Sequence, residues 1–201
     1  MAKKREKFYK TPVISGKYKG KNIQIPAVST TRSSKSVLRE SLFNTIQFDI
    51  VGRGFVEVFA GSGSVAIEAV SRGAKRAWCI EKNRSVYQML NSNIQNITQG
   101  EIESYFGDSF ELFETVLREL KSQNLPSFFY FDPPFSIRDG MEDIYEKVFN
   151  LIKRIDKEIG LMVIIEYMSD LELPKSIGDF ELAKSKKFGK SSLAYYLPKE
   201  D

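Results

Sequence analysis

The sequence predicts an α/β fold built on a doubly wound, mostly parallel sheet that ends in an antiparallel hairpin. Between residues 55 and 165, short apolar runs alternate with longer segments of helical periodicity, which is the pattern of repeated strand-helix units. The apolar runs contain few polar residues, so both faces of each strand are expected to be buried, as in parallel sheets. With 201 residues, of which 42% are hydrophobic, the chain suits one well-cored domain with a small appendage.

The appendage is predicted at residues 1–50 and the main domain at 51–201. Residues 1–30 are rich in lysine and interrupted by proline and glycine, which favours a small β-hairpin. The serine pair Ser33-Ser34 could cap a helix, and the side chains after it recur at helical spacing. The recurring positions, which predict an amphipathic helix, are Val37, Leu38, Ser41, Leu42, Thr45 and Ile46.

The pattern of the main domain predicts its elements in order. Gly52 and Gly54 break the chain before the first strand. Strands are predicted at residues 55–59, 76–80, 102–106, 128–131 and 161–165. Helices are predicted between them at residues 64–72, 85–96, 110–122 and 141–157. Residues 180–197 predict a closing hairpin, which would make one edge of the sheet antiparallel.

Two features of the composition exclude some kinds of site. Histidine is absent, which removes the commonest general base and metal ligand, so we expect no metal site. Cys79 is the single cysteine, so no internal disulfide can form, and its apolar setting predicts an inert core thiol. No apolar run reaches the length of a membrane span, and we expect a cytoplasmic protein.

The basic residues are clustered, although the formal net charge is only +4. Eight of them lie in the first 21 residues against one acid, Glu6: Lys3, Lys4, Arg5, Lys7, Lys10, Lys17, Lys19 and Lys21. A second group near the other end comprises Lys184, Lys186, Lys187 and Lys190. Such clusters suit a polyanionic partner, because each paired phosphate releases counterions. The alternative is a solvated charged tail.

A glycine-rich turn, EVFAGSGS at residues 57–64, follows the first predicted strand of the main domain. Gly61 and Gly63 allow the backbone to approach a ligand closely, and the helix that follows would offer free N–H groups. Glu81 ends the next strand, where its carboxylate can accept both hydroxyls of a ribose. The predicted residues of this nucleoside site are Glu57, Phe59, Ala60, Gly61, Ser62, Gly63, Glu81, Lys82, Asp108 and Ser109.

Two cofactors fit this turn. The run from Gly61 to Ala66 matches the G-x-G-x-x-A fingerprint of dinucleotide sites, so an NAD-dependent oxidoreductase is one reading. Glu57 favours S-adenosylmethionine (SAM), because an acid at the strand end can anchor an amino-acid ammonium that NAD lacks. Asp108, at the end of the third strand, is placed to accept from an adenine amino group.

The string Asp132-Pro133-Pro134-Phe135 follows a strongly apolar strand and predicts the reaction site. The prolines are rigid and present carbonyl groups without N–H donors. We expect the Asp132 carboxylate and the Pro133 carbonyl to accept hydrogen bonds from an exocyclic amine, with Phe135 stacking on its ring. This chemistry needs alignment of the methyl group and the nitrogen rather than a strong base.

Almost end to end, the chain resembles the bacterial 16S ribosomal RNA guanine-N2 methyltransferases. The matching segments are ISGKYKGKNI from residue 14, Arg32 with RESLFN from residue 39, VFAGSGSVAIEAVSRGA from residue 58, FDPPF from residue 131 and FGK from residue 188. The resemblance implies a Rossmann-like class I SAM methyltransferase that modifies the N2 amine of a flipped guanine. It also implies 16S rRNA as the partner, in the small ribosomal subunit or an assembly intermediate. We expect the protein to be a monomer.

The same resemblance implies an RNA-binding set in which basic side chains contact phosphates. Its predicted members are Lys17, Lys19, Lys21, Arg32, Arg39, Lys187 and Lys190. Other readings stay open at this point: a DNA adenine or protein glutamine methyltransferase, the NAD-dependent oxidoreductase, and a noncatalytic RNA-binding assembly factor. Glu166, which ends the fifth strand, has no role that the sequence assigns.

Overall fold

The computed structural model describes residues 8–27, 32–134 and 143–200, and only the backbone of residues 32–34. The strands are β1 (Phe8–Pro12), β2 (Asn22–Pro26), β3 (Gly54–Glu57), β4 (Arg76–Glu81), β5 (Ile102–Phe106), β6 (Ser127–Phe131), β7 (Gly160–Met168), β8 (Ser176–Ile177), β9 (Phe180–Phe188) and β10 (Ser191–Pro198). The helices are α1 (Arg32–Ile46), α2 (Ser64–Ser71), α3 (Arg84–Ile97), α4 (Ser109–Gln123) and α5 (Ile144–Ile152).

The central sheet has eight strands in the order β5-β4-β3-β6-β7-β10-β9-β8. Strands β3 to β7 pair in parallel, whereas β10, β9 and β8 pair antiparallel. From β3 the chain first winds through β4 to β5, and then returns to β6 on the other side of β3. The carboxyl ends of β3 and β6 therefore flank the point where the strand order reverses, which is where ligands bind in such folds. The predicted doubly wound sheet with an antiparallel hairpin is confirmed.

Two apolar cores cover the two faces of the sheet. One contains side chains of α1, α2 and α3, of the amino-terminal hairpin and of alternate strand positions such as Phe55 and Cys79. The other contains side chains of α4 and α5 with the intervening strand positions, such as Val56 and Trp78. Successive strand residues point to opposite faces, so strands buried on both faces require continuous apolar runs. Cys79 is buried, as expected of a core thiol.

The hairpin of β1 and β2 is fixed to α2 by a buried carboxylate. Glu68 accepts hydrogen bonds from the backbone N–H groups of Ile14 (2.8 Å) and Ser15 (3.0 Å) and from Arg72 Nε (2.8 Å). The Ser71 hydroxyl accepts a further bond from the Tyr18 N–H. These bonds place the turn of the hairpin against the last turn of α2, at the edge of the sheet where the parallel strands begin. The division of the chain at residue 50 stays a prediction.

Helix α5 is shorter than the predicted helix over residues 141–157. Its described part ends at Ile152, after which the N–H groups of Arg154 and Ile155 bond to carbonyls three residues earlier. Such tightening of the last turn ends many helices and cannot be read from apolar spacing alone. Within the described ranges, no helix is long and apolar enough to cross a membrane.

Candidate active site

The glycine turn between β3 and α2 is tight on one side and open on the other. Gly61 and Gly63 both have left-handed backbone angles, with φ of 52° and 73°. A Cβ on Gly63 would lie 2.3 Å from Leu90 Cδ1, so Leu90 would have to shift to admit a side chain there. A Cβ on Gly61 would meet no described atom within 4 Å. The turn thus leaves room for a ligand beside Gly61, which is the property the sequence predicted.

Glu57 stabilises the end of this turn by hydrogen bonds to the backbone of α2. Its buried carboxylate accepts hydrogen bonds from the backbone N–H groups of Ala66 (2.9 Å) and Val65 (3.4 Å). The N-cap residue of α2 is Gly63, which has no side chain, so Glu57 takes the place of the usual cap. The prediction that the start of the helix offers free N–H groups is wrong for Val65 and Ala66, because Glu57 already binds them. Its role as an ammonium anchor stays a prediction.

Burial has the largest effect on the pKa of Glu57. It raises the pKa of Glu57 to about 8, although the bonds from Ala66 and Val65 favour the charged form. Asp132 adds to this rise, and Arg39 opposes it. The strand end therefore holds an acid that changes its charge near neutral pH.

Glu81 joins the ends of two neighbouring strands. Its Oε2 accepts a hydrogen bond from the Gly61 N–H (2.9 Å), and its Oε1 accepts one from the Asn83 N–H (2.6 Å). The half-buried side chain thus lies at the carboxyl end of β4, against the glycine turn. This position agrees with the predicted nucleoside site, and the ribose contact itself stays a prediction.

The remaining predicted cofactor residues divide between the surface and the interior. Asp108 caps α4 by accepting from the Phe110 N–H (2.9 Å), and its second oxygen lies 3.8 Å from Lys82 Nζ. The buried Ser109 hydroxyl donates to the Val58 carbonyl, and a contact between Ser109 and the cofactor stays a prediction. Three further residues line the turn mainly through backbone or ring packing: Phe59, Ala60 and Ser62.

Asp132 lies on the same edge of the sheet as the glycine turn. It follows β6 directly, and β6 pairs in parallel with β3, Glu57 lying opposite Tyr130. Pro133 is buried and Pro134 is half-buried. Phe135 lies outside the described residues. The fold therefore brings Asp132 and Pro133 next to the predicted cofactor turn, as expected for adjacent strands of a parallel sheet.

Three side chains that the sequence did not assign surround Asp132. Lys35 Nζ, from the first turns of α1, donates to Asp132 Oδ2 (2.5 Å) and to Glu166 Oε1 (2.8 Å). The Tyr130 hydroxyl donates to the other oxygen of Glu166 (2.6 Å). Glu166 was visible in the sequence as the end of a strand, whereas Lys35 carried no signal, because its role depends on how α1 packs over the sheet.

The electrostatics of this cluster keep Lys35 charged. Burial alone would lower the pKa of Lys35, but the charges of Asp132 and Glu166 outweigh it, so the pKa is raised. Burial, followed by the charge of Asp132, raises the pKa of Glu166. The bonds from Lys35 and Tyr130 offset part of that rise. Burial also raises the pKa of Tyr130 well above its ordinary value, so Tyr130 is a donor to Glu166.

The predicted RNA-binding lysines lie on two different edges. Lys17 pairs with Glu101, and Lys21 Nζ donates to the Ile97 carbonyl (3.0 Å), both where the parallel strands begin. Lys187 and Lys190 are exposed near the turn between β9 and β10. That turn lies beside the carboxyl end of β7, because Ser191 pairs with Met168. Only this second pair shares the edge of Asp132, while Lys19 is exposed on the amino-terminal hairpin.

Arg39 is inside the protein. Its side chain is 5% exposed, and Nη2 donates to the Pro12 carbonyl (2.8 Å) and the Thr11 hydroxyl (3.3 Å). It also lies 3.8 Å from the buried Glu68 carboxylate. The prediction of a phosphate contact at Arg39 is wrong in this structure, because the guanidinium is used to join α1, α2 and the hairpin. The side chain of Arg32 lies outside the described residues.

A family model described as "Conserved hypothetical protein 95" matches residues 11–197. The chain belongs to this family. Among curated relatives, "Putative rRNA methyltransferase YlbH" of Bacillus subtilis is 28% identical over 92% of this chain and 97% of its own length. "Ribosomal RNA small subunit methyltransferase D" of Escherichia coli is 30% identical over 70% of this chain and 66% of its own length.

Solved structures share the fold of this Conserved hypothetical protein 95 member. The yhhF protein of Escherichia coli superposes with a TM-score of 0.74 at 24% identity, over 96% of this chain and 100% of that one. The structure described as "SMU.776, a putative methyltransferase complexed with SAH" superposes with a TM-score of 0.62 at 9% identity, over 88% of this chain and 53% of that one. These neighbours confirm the predicted methyltransferase fold.

Proposed function

We propose that this protein transfers a methyl group from SAM to the exocyclic N2 amine of a guanine in 16S rRNA. The names of the curated relatives support rRNA as the substrate. Guanine and its N2 position rest on the nearly end-to-end resemblance of the chain to the guanine-N2 enzymes, in which the amino-terminal segments discriminate better than the FDPPF string. The fold supports methyl transfer from a nucleoside cofactor at the carboxyl edge of the sheet.

One observation carries the proposal: Asp132 stands beside the glycine turn and holds a nitrogen donor on its carboxylate. The donor in this structure is Lys35 Nζ at 2.5 Å. An amine of a substrate would make the same kind of bond, N–H to carboxylate oxygen, to the same side chain. The rigid Pro133 that follows offers a carbonyl and no N–H, so it too can only accept.

The residues at this edge also fit SAM. The open side of Gly61 leaves space for a nucleoside, and Glu81 and Asp108 supply carboxylates at the ends of β4 and β5. When bound, SAM supplies an activated methyl group on a sulfonium. The chain supplies orientation: Asp132 and Pro133 would hold the hydrogens of the amine, which directs its lone pair away from them. The negative charge of Asp132 stabilises the positive charge that develops on the nitrogen.

Positioning accounts for most of the catalysis in this proposal. Holding the amine in line with the methyl group can lower the barrier by roughly 7–11 kcal/mol without a strong base. The proton of the methylated nitrogen can leave to solvent afterwards. A chain without histidine is therefore equipped for the reaction.

The test is methyl transfer from labelled SAM, followed by nucleoside analysis. The substrates are 30S subunits that lack their base methylations, naked 16S rRNA and double-stranded DNA. Label in N2-methylguanosine supports the proposal, and the comparison of subunits with naked RNA identifies the substrate form. Label in methyladenine of DNA would keep the methyltransferase and overturn its substrate. No label in any of the three would overturn the proposed activity.

A further inference from the structure

Lys35, to which the sequence assigned no role, lies between two carboxylates at the proposed reaction site. Its ammonium bridges Asp132 Oδ2 at 2.5 Å and Glu166 Oε1 at 2.8 Å. The two carboxylates come from neighbouring strands, β6 and β7, while the lysine comes from α1. One nitrogen within hydrogen-bond distance of both acids means that the two carboxyl groups lie only a few ångströms apart.

These three groups differ in their access to water. The Glu166 side chain is 0% exposed, Asp132 is 27% exposed and Lys35 is 45% exposed. Glu166 thus loses hydration, which is replaced, within the described part of the chain, by bonds from Lys35 and the Tyr130 hydroxyl. With Lys35 in place, the two acids and one ammonium carry a net charge of −1, which matches one amine that becomes positive during methylation.

Other titratable groups surround the cluster, but none of those described replaces Lys35. Glu57 on β3 interacts electrostatically with Asp132, and Arg39 is held by Thr11, Pro12 and Glu68. Tyr145 on α5 interacts electrostatically with Asp132 and Glu166, and its own pKa is raised to about 12, chiefly by burial. Among the described residues, the titratable groups that interact with the cluster are Glu57 on β3, Tyr130 on β6 and Tyr145 on α5. Arg39 on α1 interacts with Glu57 and Tyr130, and Asp170 after β7 interacts with Tyr145.

Two neighbouring carboxylates without a cation between them rarely stay ionised together. The usual outcome is one proton shared by the pair, with one of the two titrations moved to higher pH. A proton on Asp132 would turn an acceptor oxygen into a donor. The target amine would then lose its acceptor and the negative charge that stabilises the methylated nitrogen.

We infer that Lys35 is a positioning residue that keeps Asp132 and Glu166 as two separate, ionised carboxylates, so that Asp132 is available as an acceptor. This inference rests on the proposed function, because it concerns the carboxylate that is proposed to hold the amine. Lys35 acts through Asp132 in this role. It need not touch the substrate, and a lysine elsewhere on the surface could not substitute for it.

The experiment measures the carboxyl groups directly. The side-chain carboxyl carbons of aspartate and glutamate are labelled with ¹³C, and their chemical shifts are followed against pH by NMR in the protein without RNA. Asp132→Asn and Glu166→Gln identify the two signals by their loss. The variants compared with the wild type are Lys35→Met, Lys35→Arg and the double variant Lys35→Met with Glu166→Gln. Lys75→Met, an exposed lysine where β4 begins, is the matched control.

Removing the ammonium is expected to raise the titration midpoint of at least one of the two carboxyl groups by about one pH unit or more, a tenfold change in proton affinity. Lys35→Arg and Lys75→Met are expected to titrate like the wild type. In the double variant Asp132 has no partner with which to share a proton, so its midpoint returns toward that of the wild type. Unchanged midpoints in Lys35→Met, or no return in the double variant, would overturn the inference.

Two further measurements keep the outcome interpretable. If circular dichroism shows that Lys35→Met does not fold, Lys35→Gln removes the same charge and replaces it in the comparison. The pH profile of methyl transfer is measured in parallel, and its acid limb is expected to move upward in Lys35→Met. Absence of methyl transfer in the wild type would refute the proposed function, whereas the NMR titrations test Lys35 without any turnover.

Discussion

The backbone N–H of Gly61 donates to the Glu81 carboxylate at 2.9 Å, which ties the turn after β3 to the end of β4. A carboxylate in this position has two tasks, because it fixes the glycine turn and faces the space beside it. The second oxygen of Glu81 fixes the next loop by accepting from Asn83. The shape of the proposed cofactor site therefore depends on one side chain that comes from outside the glycine motif.

Glu81→Ala should weaken SAM binding. The substitution removes a charge-assisted bond to the turn and the proposed ribose acceptor, each of which is worth about 1.5–3 kcal/mol, so the Kd should rise by about tenfold or more. Isothermal titration calorimetry with SAM measures the effect. Glu172→Ala, an exposed acid in the described chain, is the control and should bind SAM like the wild type. Equal affinity of the two variants would remove Glu81 from the site.

Asp132→Ala should stop methyl transfer and leave SAM binding largely intact. The carboxylate is proposed to orient the amine and stabilise its developing charge, and loss of one such group typically costs about 10²–10³ in kcat. Single-turnover transfer to the preferred RNA substrate measures the loss, and calorimetry measures SAM affinity. Asp179→Ala, exposed between β8 and β9, serves as the control. Near-normal turnover of Asp132→Ala would contradict the assignment of Asp132 to the reaction site.

The free energy of unfolding should decrease as the pH rises from 5 to 8, because Glu57 is harder to ionise in the folded state than in the unfolded state. Its pKa is raised to about 8 in the folded protein against an ordinary 4.5, so between these values the folded state holds a proton that the unfolded state lacks. Stability falls with pH wherever the folded state binds more protons. Relative to Glu57→Gln, which cannot ionise, the wild type should lose about 1–4 kcal/mol over this window. Urea unfolding of both proteins at three pH values tests this, and a pH-independent difference would contradict it.

Glu68→Gln should destabilise the protein by about 2–4 kcal/mol, because it leaves a buried N–H group and the neighbouring guanidinium without their carboxylate. The carboxylate binds the N–H groups of Ile14 and Ser15 and the side chain of Arg72. Urea unfolding gives the loss, and limited proteolysis shows whether the hairpin of β1 and β2 is released first. Glu181→Gln, exposed on β9, is the control. A loss no greater than that of the control would mean that Glu68 does not hold the hairpin.

The sequence predicted the position of a candidate site residue well where that residue comes at or just after the end of an apolar strand. Gly61, Glu81 and Asp132 each stand at or just beyond a strand end, and parallel strands bring such ends to one edge. Lys35 and Glu166 meet across 131 positions, through the packing of α1 over that edge, and no local pattern encodes this contact. The prediction that Arg39 contacts RNA at the surface was wrong for the same reason: Arg39 is buried by partners from other elements, and no local pattern encodes those contacts.

The lysines near the β9-β10 turn should contribute more to RNA affinity than those of the amino-terminal hairpin. Lys187 and Lys190 share the edge of Asp132, whereas Lys17 and Lys21 lie at the opposite edge and already have partners. The double variant Lys187→Gln with Lys190→Gln should lower the salt dependence of RNA binding by about one unit of slope for each lysine that contacts a phosphate. Binding of 16S rRNA is measured at several salt concentrations for this variant and for Lys17→Gln with Lys21→Gln. A larger change of slope in the hairpin variant would move the RNA path to the other edge of the sheet.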